Sequence, residues 1–241
     1  MSGYDTDDEP LALSSHALEA LAQFTAERDV QVHRFEKLKM EVDAQHSRDA
    51  ALTIESFTED WNESQFWYTQ ETARLYAGEL LRGATSLTNI AVVSTPSVFV
   101  EMKNILAEWP EEDRPSVILL EHDERFKVFA EYVHYDYRRP FNLPGHLQGT
   151  IDRVICDPPF LNEDCQTKMA MSVRWMTRAA KAARVIISTG ERMQPIVLKL
   201  YKAFGVRTTT LEPRHARELG NEFLCYASFE GPSWSWVEEE E

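Results

Sequence analysis

Two patterns of apolar positions alternate along the chain from residue 57 onwards. Five short segments are predicted to be strands, because each is apolar or has the length of a strand: residues 90–93, 117–120, 132–135, 151–156 and 185–188. Between them, apolar residues recur every three or four positions, which predicts helices; the first spans 71–82 and ends at Gly83. Because two neighbouring parallel strands need a crossover of helix length, this alternation predicts a parallel α/β sheet with helices on both faces.

Two further strands are predicted near the end of the chain, at 206–211 and 223–229. No segment of helix length separates them, so we expect an antiparallel pair. The sheet then has seven mostly parallel strands with the last one reversed, which is a Rossmann-like layout. The residues after the first strand, Thr95 and Pro96, predict the N-cap and the first-turn proline of the next helix.

The sequence divides into a main domain at residues 57–231 and flanking segments of different composition. Residues 11–56 show helical spacing and predict an N-terminal helical arm, which is either a lid on the main domain or a partner-binding appendage. Residues 1–10 and 232–241 are acidic and predict solvated, disordered tails.

Composition narrows the function classes. The chain has 241 residues, with 40 acidic and 25 basic side chains and a formal net charge of −15. This charge disfavours nucleic acid as a partner and suits a basic protein surface. The three cysteines form no CxxC pair and the seven histidines lack metal-ligand spacing, so we expect no metal. With no apolar run long enough for a membrane span and no secretory leader pattern, we expect a cytoplasmic monomer with no membrane partner.

The most informative segment follows the strand at 151–156 and reads Asp157-Pro158-Pro159-Phe160. Ligands of such sheets bind at the carboxyl ends of the strands, where this turn lies. The two prolines remove backbone donors, so the turn presents acceptors: the Asp157 carboxylate and the Pro158 carbonyl. Phe160 adds an aromatic face for a cation or a flat group. Two acceptors beside an aromatic ring suit an amine, although a rigid turn at a strand exit is the alternative.

This turn is similar to the Asp/Asn-Pro-Pro-Tyr/Phe motif of amino-methyltransferases that use S-adenosylmethionine. Six further segments occur in a matching order, at residues 65–73, 94–97, 121–126, 135–137, 213–215 and 221–223. Together they resemble the elongation factor 1-alpha lysine methyltransferase family, once labelled as adenine methyltransferases, over roughly residues 57–230. The resemblance implies a Rossmann-like seven-stranded methyltransferase sheet, S-adenosylmethionine as cofactor and elongation factor 1-alpha as protein substrate. It implies catalytic roles for Asp157, Pro158 and Phe160.

Other strand ends carry candidates for cofactor binding. Glu121 can accept hydrogen bonds from both ribose hydroxyls, with Asp123 as the second choice, and Asp136 can accept one from the adenine amino group. The loop after the first strand has no glycine, yet small residues and a helix N-terminus can receive the methionine carboxylate there, which makes Ser94 and Pro96 candidates.

The segment before the first helix and the segment between the last two strands hold the remaining candidates. Tyr68 and Thr69 resemble the cofactor-contacting segment of the family, although Thr69 can equally be a plain N-cap. Trp67, Arg214 and His215 are the candidates for substrate binding, with packing in the core or at the surface as the alternative.

Lysine methylation requires a neutral amine, and Asp157 is a poor base for a solvated ammonium because the reference pKa values differ by about 6.5 pH units. We therefore expect Asp157 and the Pro158 carbonyl to orient the N–H bonds while water takes the proton. Two other functions stay open. The same turn suits adenine N6-methylation of DNA or RNA, and the glycine-free loop suits a catalytically inactive Rossmann scaffold for protein binding.

Overall fold

The computed structural model describes residues 66–217 and 222–238. The predicted N-terminal arm at 11–56 and the acidic tail at 1–10 lie outside these residues. The described part contains seven strands: β1 (Asn89–Val93), β2 (Ser116–Glu121), β3 (Tyr132–His134), β4 (Arg153–Cys156), β5 (Arg184–Gly190), β6 (Arg207–Thr208) and β7 (Phe223–Ala227).

All seven strands form one sheet in the order β3-β2-β1-β4-β5-β7-β6. The first five strands in the chain run parallel to one another, and β7 runs antiparallel to both β5 and β6. The predicted Rossmann-like, mostly parallel, seven-stranded fold is therefore confirmed. Strand β6 is shorter than predicted, because the chain after Thr208 turns toward residues 235–236: Thr209 forms an isolated bridge with Trp236, although its N–H still donates to the Cys225 carbonyl of β7 at 3.0 Å.

Four α-helices accompany the sheet: α1 (Gln70–Leu81), α2 (Pro96–Ala107), α3 (Glu163–Met176) and α4 (Gln194–Leu200). Helix α1 begins where the Thr69 hydroxyl accepts a hydrogen bond from the backbone N–H of Thr72, and the turn after it passes through Gly83 at φ 64°. Pro96 occupies the first turn of α2, as predicted. None of the helices in the described ranges has the length and apolar character needed to cross a membrane.

The register of the parallel strands brings their carboxyl ends to one edge of the sheet. Val93 of β1 is level with Leu120 of β2 and with Cys156 of β4, and Glu121 is level with His134 of β3. All of β1 after its first residue is buried, as is most of β2 and β4, so this register is fixed by apolar packing on both faces. The residues that follow these strands are consequently neighbours.

The end of the described chain folds back over the sheet domain. Trp234 is buried, Val237 donates a backbone hydrogen bond to Thr208 at 2.9 Å, and Arg207 lies over the Trp236 ring at 4.9 Å. The segment predicted to be an acidic tail begins at residue 232, so these contacts are made by its first residues, while residues 239–241 lie outside the described part of the chain.

Candidate active site

Asp157 lies directly after β4, beside the end of β1, where its backbone N–H donates to the Val93 carbonyl at 3.2 Å. Its Oδ2 accepts a hydrogen bond from the phenol of Tyr68 at 2.6 Å. Burial raises the pKa of Asp157 to about 7, the phenol opposes this rise, and repulsion from Glu121 adds to it. Near neutral pH this carboxyl group therefore exchanges between its protonated and ionised forms.

Glu121 closes β2 and is 5% exposed. Its Oε1 accepts backbone hydrogen bonds from His122 at 2.8 Å and from Asp123 at 3.1 Å. Burial nevertheless raises the pKa of Glu121 to about 7. Within the described residues, no lysine or arginine forms an ion pair with Glu121 or Asp157. Two acidic groups without a cationic partner thus lie at the same edge of the sheet.

The loop between β1 and α2 contains no glycine, yet one of its residues adopts a backbone conformation that is typical of glycine. Ser94 has φ 54°, the left-handed region that side chains rarely adopt, while its N–H donates to the Leu120 carbonyl at 2.9 Å. Thr95 stands at the N-cap of α2, but its side chain makes no capping hydrogen bond, which corrects the prediction of a threonine cap. Its Oγ1 is buried without a partner, so this loop presents an unsatisfied polar atom.

Comparison with known proteins places this geometry in a family. A family model described as "Probable N6-adenine methyltransferase" matches residues 59–231. The yeast (Saccharomyces cerevisiae) protein-lysine N-methyltransferase EFM5 is 39% identical over 239 residues, which covers 93% of this chain and 94% of that protein. Human EEF1A lysine methyltransferase 1 is 35% identical with the same coverage, and the Caenorhabditis elegans protein-lysine N-methyltransferase M142.8 is 35% identical over 94% of this chain and 97% of that one.

The chain belongs to the elongation factor 1-alpha lysine methyltransferase family. The predicted resemblance is confirmed, and with it the assignment of the chain as a methyltransferase.

Tyr137, in the loop after β3, lies beside the ring of Phe160. The rings of Phe160 and Tyr137 are 5.7 Å apart, and both are half-buried. Arg138 lies over the other ring, that of Tyr137, at 5.3 Å. Pro158 is buried. The predicted motif ring is thus part of an aromatic pair with Tyr137, which belongs to the segment 135–137 of the family resemblance but was not predicted to contact Phe160.

Two acidic residues near the strand ends have partners of their own. Asp123 accepts from the backbone N–H of Arg125 at 2.8 Å and forms an ion pair with the same arginine at 2.6 Å. Asp136 accepts from the backbone N–H of Arg138 at 2.9 Å, which is the turn-capping arrangement. Asp123 thus has a charged partner, whereas Asp136, like Glu121 and Asp157, forms no ion pair with a lysine or arginine among the described residues. The adenine-binding role of Asp136 stays a prediction.

Tyr68 is held by a bridge between two distant parts of the chain. It pairs with His215 in an isolated antiparallel bridge, where Thr69 N–H donates to the Arg214 carbonyl at 2.9 Å. On the other side, the Ala216 N–H donates to the Trp67 carbonyl at 2.8 Å. We call residues 214–216 the bridging segment. It brings the candidates predicted at 67–69 and at 214–215 together, and Tyr68 among them contacts Asp157.

The side chains of the predicted substrate-binding group differ in exposure. Trp67 is 5% exposed and lies edge-on to Phe126, with ring centroids 6.2 Å apart, whereas the Arg214 side chain is exposed. The His215 ring lies between Tyr68 at 4.7 Å and Phe223 at 4.6 Å, and burial lowers its pKa to about 4. A neutral His215 therefore forms part of the aromatic surroundings of Tyr68. The substrate-binding roles of these three residues stay predictions.

Proposed function

We propose that the chain uses S-adenosylmethionine to methylate a lysine of elongation factor 1-alpha. The observation that carries the proposal is Asp157: a carboxylate after β4, hydrogen-bonded by a phenol and unpaired with any cation in the described residues. The names of the relatives, EEF1A lysine methyltransferase 1 among them, support the substrate. The net charge of −15 favours this protein substrate over the adenine of DNA or RNA.

The strand-end residues fit the proposed cofactor. Among the described residues, both hydrogen bonds that Glu121 accepts go to Oε1, which leaves Oε2 for the ribose hydroxyls. The loop at 94–96 offers the unpartnered Thr95 hydroxyl and the N-terminus of α2 to the methionine carboxylate. When bound, the cofactor supplies a methyl group on a positively charged sulfur. Its charge suits an edge where two acids lack cationic partners.

In this proposal the turn at residues 157–160 binds the lysine side chain of the substrate. Asp157 and the Pro158 carbonyl accept the N–H bonds of the neutral amine, which aims the nitrogen lone pair at the methyl group. As the nitrogen takes the methyl group, positive charge grows on it, and the two acceptors stabilise that charge. Phe160 and Tyr137 offer ring faces to the same cation.

Removal of the lysine proton is easier here than the reference pKa of about 10.4 indicates, because burial of the amine disfavours the ammonium form and lowers its pKa. We propose that water carries the proton away while Asp157 holds the amine. We place the reaction in the cytoplasm, where a translation factor works, and expect the enzyme to act as a monomer.

The test is methyl transfer in vitro. Purified elongation factor 1-alpha is incubated with the full chain and isotopically labelled S-adenosylmethionine, and lysine methylation is located by mass spectrometry. We expect label on a lysine of the factor, and none on duplex DNA or RNA that contains adenine. Label on adenine alone, or no label above the enzyme-free control, would contradict the proposal.

A further inference from the structure

The contact between Tyr68 and Asp157 joins residues 89 positions apart in the chain. We infer that Tyr68 is a positioning residue that holds Asp157 ready to accept an amine, and that the bridging segment holds Tyr68 in turn. This inference rests on the proposed function, because it assigns Asp157 the role of amine acceptor.

The geometry fixes one oxygen of Asp157 and leaves the other for the substrate. The phenol oxygen of Tyr68 lies 2.6 Å from Oδ2, within the short range that hydrogen bonds to an ionised acceptor adopt. Among the described residues, no side chain or backbone group donates to Oδ1. A carboxylate held through one oxygen cannot rotate freely, so the second oxygen keeps one direction.

Tyr68 itself has little freedom to move. Its side chain is 2% exposed, its ring lies 5.6 Å from Tyr76 and 4.7 Å from His215, and its neighbours in the chain are hydrogen-bonded to the bridging segment on both sides. Arg214 is fixed as well, because its N–H donates to the Thr72 hydroxyl at 3.1 Å. The phenol is therefore aimed by backbone pairing and ring packing together.

The electrostatics give the phenol the role of donor. Burial, and then the charge of Asp157, raise the pKa of Tyr68 well above 10, so the phenol keeps its proton. Its hydrogen bond lowers the pKa of Asp157 against the effect of burial. The titratable groups that surround Asp157 are Tyr68 before α1, Tyr76 on α1, Glu121 after β2, Cys156 on β4 and Cys165 on α3. Of these, Tyr68 is the one that donates a hydrogen bond to it.

The experiment compares Tyr68→Phe with Tyr76→Phe in the full chain. Both changes delete one buried phenol oxygen, but the Tyr76 hydroxyl donates to Ser188 at 3.2 Å instead of to Asp157. The carboxyl 13C signal of Asp157, assigned by its loss in Asp157→Asn, is titrated by NMR without cofactor or substrate. We expect Tyr68→Phe to raise the pKa of Asp157 by about one pH unit, and Tyr76→Phe to leave it within about 0.3.

Activity provides the second readout. We expect the acid limb of the kcat/KM profile to move upward by a similar amount in Tyr68→Phe. The dissociation constant for S-adenosylmethionine, measured at about pH 9 where Asp157 is ionised in both proteins, should be unchanged within about twofold. An unmoved Asp157 titration in Tyr68→Phe, or an equal movement in Tyr76→Phe, would overturn the inference. Because the NMR titration needs no substrate, a wild-type enzyme that fails to methylate elongation factor 1-alpha refutes the proposed function by a separate result.

Discussion

Two carboxylates near helix α1, one buried and one half-buried, are held in opposite ways. Glu79, on α1 itself, is 1% exposed and has protein partners for both oxygens: Arg82 donates from Nε to Oε2 at 3.1 Å and forms an ion pair at Oε1, and the Ser233 N–H donates to Oε1 at 3.1 Å. Asp157 has the phenol of Tyr68, and no cation among the described residues.

This contrast separates an acid whose charge the protein neutralises from one that has no counter-charge among the described residues. A buried carboxylate costs free energy unless a charge or several donors compensate it, and at Glu79 the protein supplies both. Gly231 adds to this close fit, because a Cβ at that position would lie 2.5 Å from Glu79 Oε2. At Asp157 and Glu121 the compensation is incomplete, and burial raises both pKa values to about 7. We interpret that deficit as room for the positive charge of ligands.

The largest expected effect comes from Asp157→Asn. The amide keeps the shape but loses the charge and one acceptor, so we expect kcat to fall by about 10²–10³-fold, the range seen when one preorganised polar group is removed from a transition state. Stability should not fall. Asp157 has a folded-state pKa raised above its unfolded value, so its ionisation costs stability as the pH rises through about 7. The melting temperature at pH 8 should stay level or rise, measured by scanning calorimetry.

For Glu79→Gln we expect the opposite result, a loss of stability without a loss of activity. The substitution breaks the ion pair with Arg82 and leaves a donor amide facing either the Arg82 guanidinium or the Ser233 N–H. We expect the free energy of unfolding to fall by about 2 kcal/mol, with kcat within about twofold of wild type at a temperature where both proteins are folded. Urea denaturation and a methyl-transfer assay measure the two quantities. A loss of activity without a loss of stability would erase the distinction between the two carboxylates.

The smallest effect is expected at the glycine-free loop. Ser94→Gly relieves the left-handed φ of 54° but makes the unfolded chain more flexible, so we expect the free energy of unfolding to change by between zero and about +1 kcal/mol. Ser97→Gly, three residues on and inside helix α2, should instead lose about 1 kcal/mol. If both serines respond alike to thermal denaturation, then strain at Ser94 is not what distinguishes them.

The order of elements and the alignment of strand ends were predictable because they follow from local patterns. The apolar side chains of β1, β2 and β5 can all be buried only in a sheet that is covered on both faces. The parallel strand order then puts Ser94, Glu121 and Asp157 at one edge of that sheet. Strand β6 was overestimated, because the apolar and β-branched residues after Thr208 pair with the end of the chain instead of extending the ladder.

The side-chain contacts within the candidate site could not be predicted from the sequence. Whether the Tyr68 phenol meets Asp157 depends on side-chain directions set by the bridging segment, and no spacing encodes a contact across 89 positions. The left-handed Ser94 carries no signal either, since serine rarely adopts that conformation. The raised pKa values of Asp157 and Glu121 arise from burial by residues that come from several strands, so neither could be read from neighbours in the chain.

Our central claim is that Glu121 and Asp157, at the carboxyl ends of the strands, interact with a cationic ligand. The number of protons released when that ligand binds tests the claim most directly. S-adenosylmethionine is titrated into the full chain at pH 7 by calorimetry in buffers of different ionisation enthalpy, alongside Asp157→Asn and Glu121→Gln. With two groups of pKa about 7, each half protonated, binding should release up to about one proton and tighten as the pH rises from 6 to 8, and each substitution should remove part of the release. Binding that releases no proton and keeps the same affinity across this range would contradict the claim.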